Sequence, residues 1–236
     1  IGRTDWDEAC TKEINPRVQY HFCNESLRDS FYSGSWEYQN CEKHSIFMSQ
    51  AATPIKGLHF MLRAMPEILK NYPDAHLYVA GNDLTKTDSL YGKLKISSFA
   101  KYIKRLISEY SLEEKVTFTG SLTEQKMKER FLKSNVFVSP STIENSPNSL
   151  GEAMLLGVPC ISSDVGGVKN LLKHEEEGYV YQTDAPYMLA YYVKKMFAME
   201  KQAETMGAKA KERAAKTHNR ERNLEVLLKI YEDILK

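Results

Sequence analysis

The chain has 236 residues, 42% hydrophobic and 27% charged, which is enough for one substantial core with attachments. Its 32 Lys and Arg nearly cancel its 31 Asp and Glu, leaving a formal charge of +1, so no overall field suits a nucleic-acid partner and none is expected. No apolar run approaches the roughly 20 residues of a spanning helix. With no signal peptide the chain reads as cytoplasmic, compatible with peripheral contact at the inner face of the membrane, and its start at Ile1 reads as a piece of a longer protein.

Residues 1–44 are rich in aromatic and turn residues, among them Trp6, Tyr20, Phe22, Phe31, Tyr32 and Trp36, and read as the end of a preceding domain plus its linker. From Ser45 a short β-rich run, a turn and an amphipathic stretch alternate. The β-rich runs are 45–50, 76–81, 115–120, 135–140, 158–163 and 178–181, and their near-continuous apolar character suits strands covered on both faces. Between them "GLHFMLRAMPEILKNY" places Leu58, Met61, Leu62, Met65 and Leu69 at helical spacing, with Pro66 expected to kink it. The segments 90–110 and 123–134 also read as helices, and the chain is expected to be helical from about Asp184 to its end. The last amphipathic stretch carries Leu224, Leu227, Leu228, Tyr231 and Leu235 on a stripe expected to pack on protein.

Strands alternating with helices predict βαβ units and an α/β, doubly wound parallel sheet with a helical C-terminal extension. Ligands of such sheets lie beyond the carboxyl ends of the strands, where Gly81, Gly120 and the loop 139–149 fall. In "STIENSPNSLGEAMLLGVPC" a helix is expected over about Pro147–Leu156, ended by Gly157. A helix N-terminus at that edge favours an anion, phosphate above all, and Ser146, Asn148, Ser149 and Leu150 are candidates to present backbone donors to it. Glu144 precedes the helix and Glu152 lies within its first two turns, so one carboxylate can take a ribose diol while the other reaches the far end of the same ligand. The same residues admit a purely structural reading, because Ser149-x-x-Glu152 fits a capping box.

These blocks carry a resemblance. "ENSPNSLGEAMLLGVPCISSDVGG" resembles the E-x7-E region of retaining GT-B glycosyltransferases of the GT4 type, and "TPIKGLHFMLRAMPEILKNYPDAHLYVAG" resembles the x-P-x-K-G helix and following strand of that family. "VTFTGSL" and "NVFVSPS" match two intervening strands in order, while "GRTDWDEA" and "NESLRDSFY" are like the interdomain stretch of a bacterial branch associated with surface polysaccharide synthesis. The resemblance implies the C-terminal, donor-binding half of a GT-B fold. It divides the chain into a remnant of the acceptor domain and linker (1–44), a Rossmann-like nucleotide-sugar domain (45–200) and a helical extension (201–236).

It also implies roles. Lys56 stands on the donor diphosphate, Glu144 near the transferred sugar and Glu152 on the ribose; Gly120 and Leu122 lie against the nucleobase, and Asn148, Ser149 and Leu150 approach sugar and phosphate. Lys56 and Glu144 are the expected catalytic pair, and Asn82, a turn residue by type, is a further candidate at the cleft. The expected partners are a nucleotide-sugar donor and a sugar or lipid-linked acceptor held by the missing domain. Neither cofactor nor metal is expected. Many family members have an arginine five residues before the motif lysine; here Ala51 takes its place, so charge neutralisation rests on Lys56, the helix N-terminus and a residue from elsewhere. An epimerase or phosphorylase of the same plan, and a nucleotide-binding module without catalysis, are the alternatives. The glycines of "DVGG" (164–167) are expected to serve a tight turn, the six histidines to be structural, and the four cysteines to be reduced thiols without metal-ligand spacing.

Overall fold

The computed structural model describes residues 1–86 and 97–235. Six strands, β1 (Glu42–Met48), β2 (His76–Val79), β3 (Val116–Phe118), β4 (Ser134–Ser139), β5 (Cys160–Asp164) and β6 (Tyr179–Gln182), form one sheet in the order β3-β2-β1-β4-β5-β6. Every neighbouring pair is parallel. This is the predicted doubly wound α/β arrangement, Rossmann-like in its strand order. Each strand matches a predicted run to within a few residues, because both faces of the sheet are covered and the strands are correspondingly apolar. Central β4 is buried at all six positions.

Helices α1 (Asp5–Ile14), α2 (Leu58–Leu69), α3 (Ser98–Glu109), α4 (Glu124–Lys133), α5 (Asn148–Leu156), α6 (Val168–Leu171), α7 (Pro186–Met199), α8 (Ala203–Thr217) and α9 (Arg220–Ile234) complete the described chain. In α2 the apolar stripe faces the core and Pro66 sits inside the helix without ending it. The predicted helix over 90–110 is present from Ser98, and its first part lies outside the described residues. Residues 150–156 of α5 are all buried, and Gly157 closes it in the left-handed conformation at φ 76°.

The segment ahead of β1 is packed onto this domain. Phe31 is fully buried and meets Phe131 edge-on at 5.8 Å, a burial that contributes about 1.5–3 kcal/mol by transfer. Trp36 donates its indole N–H to the Ser134 carbonyl and its amide to the Leu156 carbonyl, both at 2.7 Å. Residues 31–36 therefore lie beside the end of α5. At the other terminus the predicted stripe is largely uncovered among the described residues. Leu224, Leu228, Tyr231 and Leu235 are exposed, and α9 packs instead through Asn223 and Ile230. Its amphipathic period is real, but the chain leaves most of the apolar side uncovered. Among the described residues no helix is long and apolar enough to cross a membrane.

Candidate functional site

The site lies where strand order reverses, beyond the carboxyl ends of β1 and β4. After β1 the chain passes through Ser49, Gln50 and buried Ala51, makes one 3-10 turn over Pro54–Lys56, and enters α2 through Gly57 at φ 74°. The loop after β4 is fastened to this turn. The Thr142 amide donates to the Ile55 carbonyl at 2.8 Å, and the Pro140 carbonyl occupies the space beside Gly57, only 1.8 Å from where a Cβ would stand. A side chain there would collide with backbone, which is why lysine is followed by glycine.

This close approach sets Lys56 against the first acid. Lys56 Nζ donates to Glu144 Oε1 at 2.6 Å, and Ser141 Oγ donates to the same oxygen at 2.8 Å. On its far side the Glu144 backbone rests on the 164–167 turn: the Gly167 amide donates to the Glu144 carbonyl at 3.2 Å, and a Cβ at Gly166 would lie 1.8 Å from that carbonyl. The two glycines thus serve a turn, as expected, and also admit the acid's backbone, which the sequence did not disclose.

Helix α5 begins with Pro147 as its N-cap and no side-chain cap. The Leu150 amide donates to the Pro147 carbonyl at 3.0 Å, so this predicted anion donor is already engaged. The Asn148 and Ser149 amides have no partner among the described residues and remain available. The capping-box alternative is excluded by geometry, since Glu152 does not reach back to the helix start. Its two oxygens accept from Arg28 Nε and Nη2, each at 2.7 Å.

A cavity of about 780 Å³ opens at this helix start, lined by Lys56, Asn148, Ser149 and Glu152 together with Arg3 and Arg28. Glu144 lies in an adjoining cleft of about 20 Å³ that shares Lys56 and Ser149 with it. The structure thus brings Lys56, Glu144, Asn148, Ser149 and Glu152 together. Gly120, Leu122, Asn82 and fully buried Leu150 do not line the cavity. Gly81 and Gly120 instead exchange backbone hydrogen bonds at 3.0 and 3.1 Å beyond β2 and β3.

Sequence reasoning missed Arg3, Glu25, Ser26, Arg28 and Gln50, all cavity residues. Arg3 Nη1 donates to Glu25 Oε2 at 2.5 Å and to Asn148 Oδ1 at 3.0 Å. The signal was present in the stretch "NESLRDSFY", but nothing local says that its arginine crosses to an acid on α5. Among the described residues no group of three His, Cys, Asp or Glu side chains could hold a metal. Of the cysteines, burial raises the Cys41 thiol to about 11 and pushes that of Cys160 upward as well.

Residues 38–213 match the family described as Glycosyl transferases group 1. The chain belongs to this family. Among its curated relatives is an uncharacterised glycosyltransferase of Methanocaldococcus jannaschii, 28% identical over 160 residues, with 68% of this chain and 37% of the relative covered. Another is the N-acetyl-alpha-D-glucosaminyl L-malate synthase of Bacillus anthracis, 27% identical over 134 residues, covering 57% of this chain and 35% of the relative. The chain spans about a third of the length of these two relatives.

Solved structures share the fold. The sucrose-phosphate synthase of Thermosynechococcus elongatus superposes with a TM-score of 0.80 at 22% identity, covering 99% of this chain and 57% of that one. A point mutant of S. aureus TarM, in complex with fondaparinux, alpha-GlcNAc-glycerol and UDP, superposes with a TM-score of 0.79 at 16% identity, covering 98% of this chain and 43% of that one. These GT-B neighbours agree with the Rossmann-like sheet and helical C-terminal part described above.

Proposed function

We propose that this chain is the donor-binding half of a GT4-type retaining glycosyltransferase, which transfers a sugar from a nucleotide-sugar to an acceptor hydroxyl in polysaccharide or glycoconjugate synthesis. The observation that carries the proposal is the convergence of Lys56, the unpartnered Asn148 and Ser149 amides and Glu152 on one cavity, with Glu144 bonded to Lys56 beside it. UDP in the TarM and Anabaena HepE structures, which share this fold, supports a nucleotide as the guest.

The chemistry follows from charge. As the glycosidic bond to the donor lengthens, negative charge grows on the departing diphosphate, and the sugar takes on oxocarbenium character. Lys56 and the free amides at the start of α5 line the cavity and are the donors this reading assigns to the first charge; preorganised donors of this kind lower a barrier because they need little reorganisation during the reaction. Glu152 takes the ribose hydroxyls. Glu144, reached through Lys56, holds hydroxyls of the transferred sugar and supports its cationic centre. The acceptor is a sugar or lipid-linked hydroxyl held by the rest of the protein, of which residues 1–44 are the adjoining part; the isolated chain then binds donor and transfers little.

The test is the full-length parent incubated with a panel of nucleotide-sugars and candidate acceptors, with the product followed by proton NMR. Donor-dependent glycoside with the donor's anomeric configuration is expected. Conversion of the donor sugar to its epimer without an acceptor, or an inverted glycoside, would overturn the proposal.

A further inference from the structure

Between β1 and α2 the chain passes Ala51, which is buried and brings no charge to the cavity. An arginine reaches the cavity from the opposite direction. Arg28 begins the 3-10 turn Asp29–Tyr32, and its guanidinium lies over the fully buried Phe31 ring at 4.7 Å, which fixes its plane. The Nε–Nη2 edge is spent on the two oxygens of Glu152. Nη1 has no partner among the described residues, and the two side chains differ sharply in access, 41% exposed for Arg28 against 5% for Glu152.

A guanidinium carries five donors on two usable edges, so one edge can hold a carboxylate while the other takes a phosphate. In the free protein the cavity's cations are matched by acids: Lys56 by Glu144, Arg28 by Glu152 and Arg3 by Glu25. An arriving diphosphate needs donors beyond those pairs, and Nη1 of Arg28 supplies them without breaking its own. Each Glu152 oxygen, accepting one bond from Arg28, keeps acceptor capacity for a ribose hydroxyl.

We propose that Arg28, carried by the segment preceding the sheet, is a donor-binding residue that contacts the diphosphate directly while holding Glu152 in place for the ribose. This rests on the donor-site reading above and deepens it. It also makes residues 25–28 a working wall of the cavity. That wall is set against α5 at Gly151, where a Cβ would stand 2.8 Å from Leu27 Cδ1 and 2.5 Å from His218 Nε2.

The test is calorimetric titration of the chain with uridine, guanosine and adenosine and with UDP, GDP and ADP, following the base that wild type binds best. Arg28→Gln is expected to weaken the diphosphate about tenfold or more and the nucleoside far less, with Arg28→Lys recovering part of the loss. Glu152→Gln is expected to weaken nucleoside and diphosphate by the same factor. Because Arg28→Gln strands a buried carboxylate, the double variant Arg28→Gln/Glu152→Gln is compared with Glu152→Gln alone, and the diphosphate-selective loss must persist there. An equal loss for nucleoside and diphosphate, or no loss, overturns this inference while leaving the donor site standing. Wild type that binds none of the six ligands overturns the donor-site reading, and this inference with it.

Discussion

The Pro140 carbonyl fills the space that a side chain at Gly57 would need, with 1.8 Å between that oxygen and a Cβ on Gly57. The loop after β4 and the turn after β1 are locked together at this contact, and Lys56 is held one residue away from it. Gly57 also has φ 74°, which other residues adopt only at a cost. Gly57→Ala is therefore expected to destabilise the chain by about 2 kcal/mol or more. At this size that is a drop of roughly 4–8 °C in the thermal midpoint, read by circular dichroism. Nucleotide affinity should fall with it, because Lys56 moves.

Lys56 itself should behave differently. Its pair with Glu144 is part-exposed, 27% and 14%, so the pair contributes at most about 1 kcal/mol to stability. Lys56→Ala should leave the thermal midpoint within a few degrees while lowering turnover of the full-length parent by on the order of 10²-fold. A large loss of stability with little loss of turnover would mark the lysine as structural.

His218 gives a pH dependence. It is buried against Gly151, its Nδ1 lies 2.7 Å from the Glu25 carbonyl, and Nε2 has no partner among the described residues. Burial, aided by Arg3, holds its pKa below the ordinary 6.5. The folded chain thus stays neutral at His218 where the unfolded chain takes up a proton. The stability so gained is full above about pH 6.5 and is lost as pH falls below it. Burial lowers His59 and His76 too, so they act in the same direction. Denaturant unfolding between pH 7.5 and 5 should show this loss, and His218→Gln should flatten it by up to about 1.4 kcal/mol per pH unit.

Helix α9 separates amphipathic pattern from packing. Leu224, Leu228 and Tyr231 are exposed, and replacing each by Gln should change stability by less than about 0.5 kcal/mol. Ile230 is buried, and Ile230→Ala should cost about 2 kcal/mol or more. Chemical denaturation of the four variants checks both.

The contrast shows what the sequence could carry. The strands were legible because a sheet covered on both faces demands apolar runs, and β4, buried throughout, is the clearest of them. Lys56, Glu144 and Glu152 were legible because local turn and helix signals place them at one edge of that sheet. Arg28 was not, since it meets Glu152 across 124 positions and no local period encodes such a contact. The engagement of the Leu150 amide was likewise hidden, because it depends on how the first turn of α5 closes on Pro147. The stripe on α9 was legible as a pattern, but what covers it was not: periodicity reports which residues share a face, and not what lies against it.

The most direct measurement of the central claim is a crystal structure of the chain soaked with UDP, GDP or ADP. Diphosphate oxygens are expected within hydrogen-bond distance of Lys56 and of the amides that open α5, with the ribose hydroxyls on Glu152. A nucleotide bound outside this cavity, or one whose ribose lies away from Glu152, would contradict it.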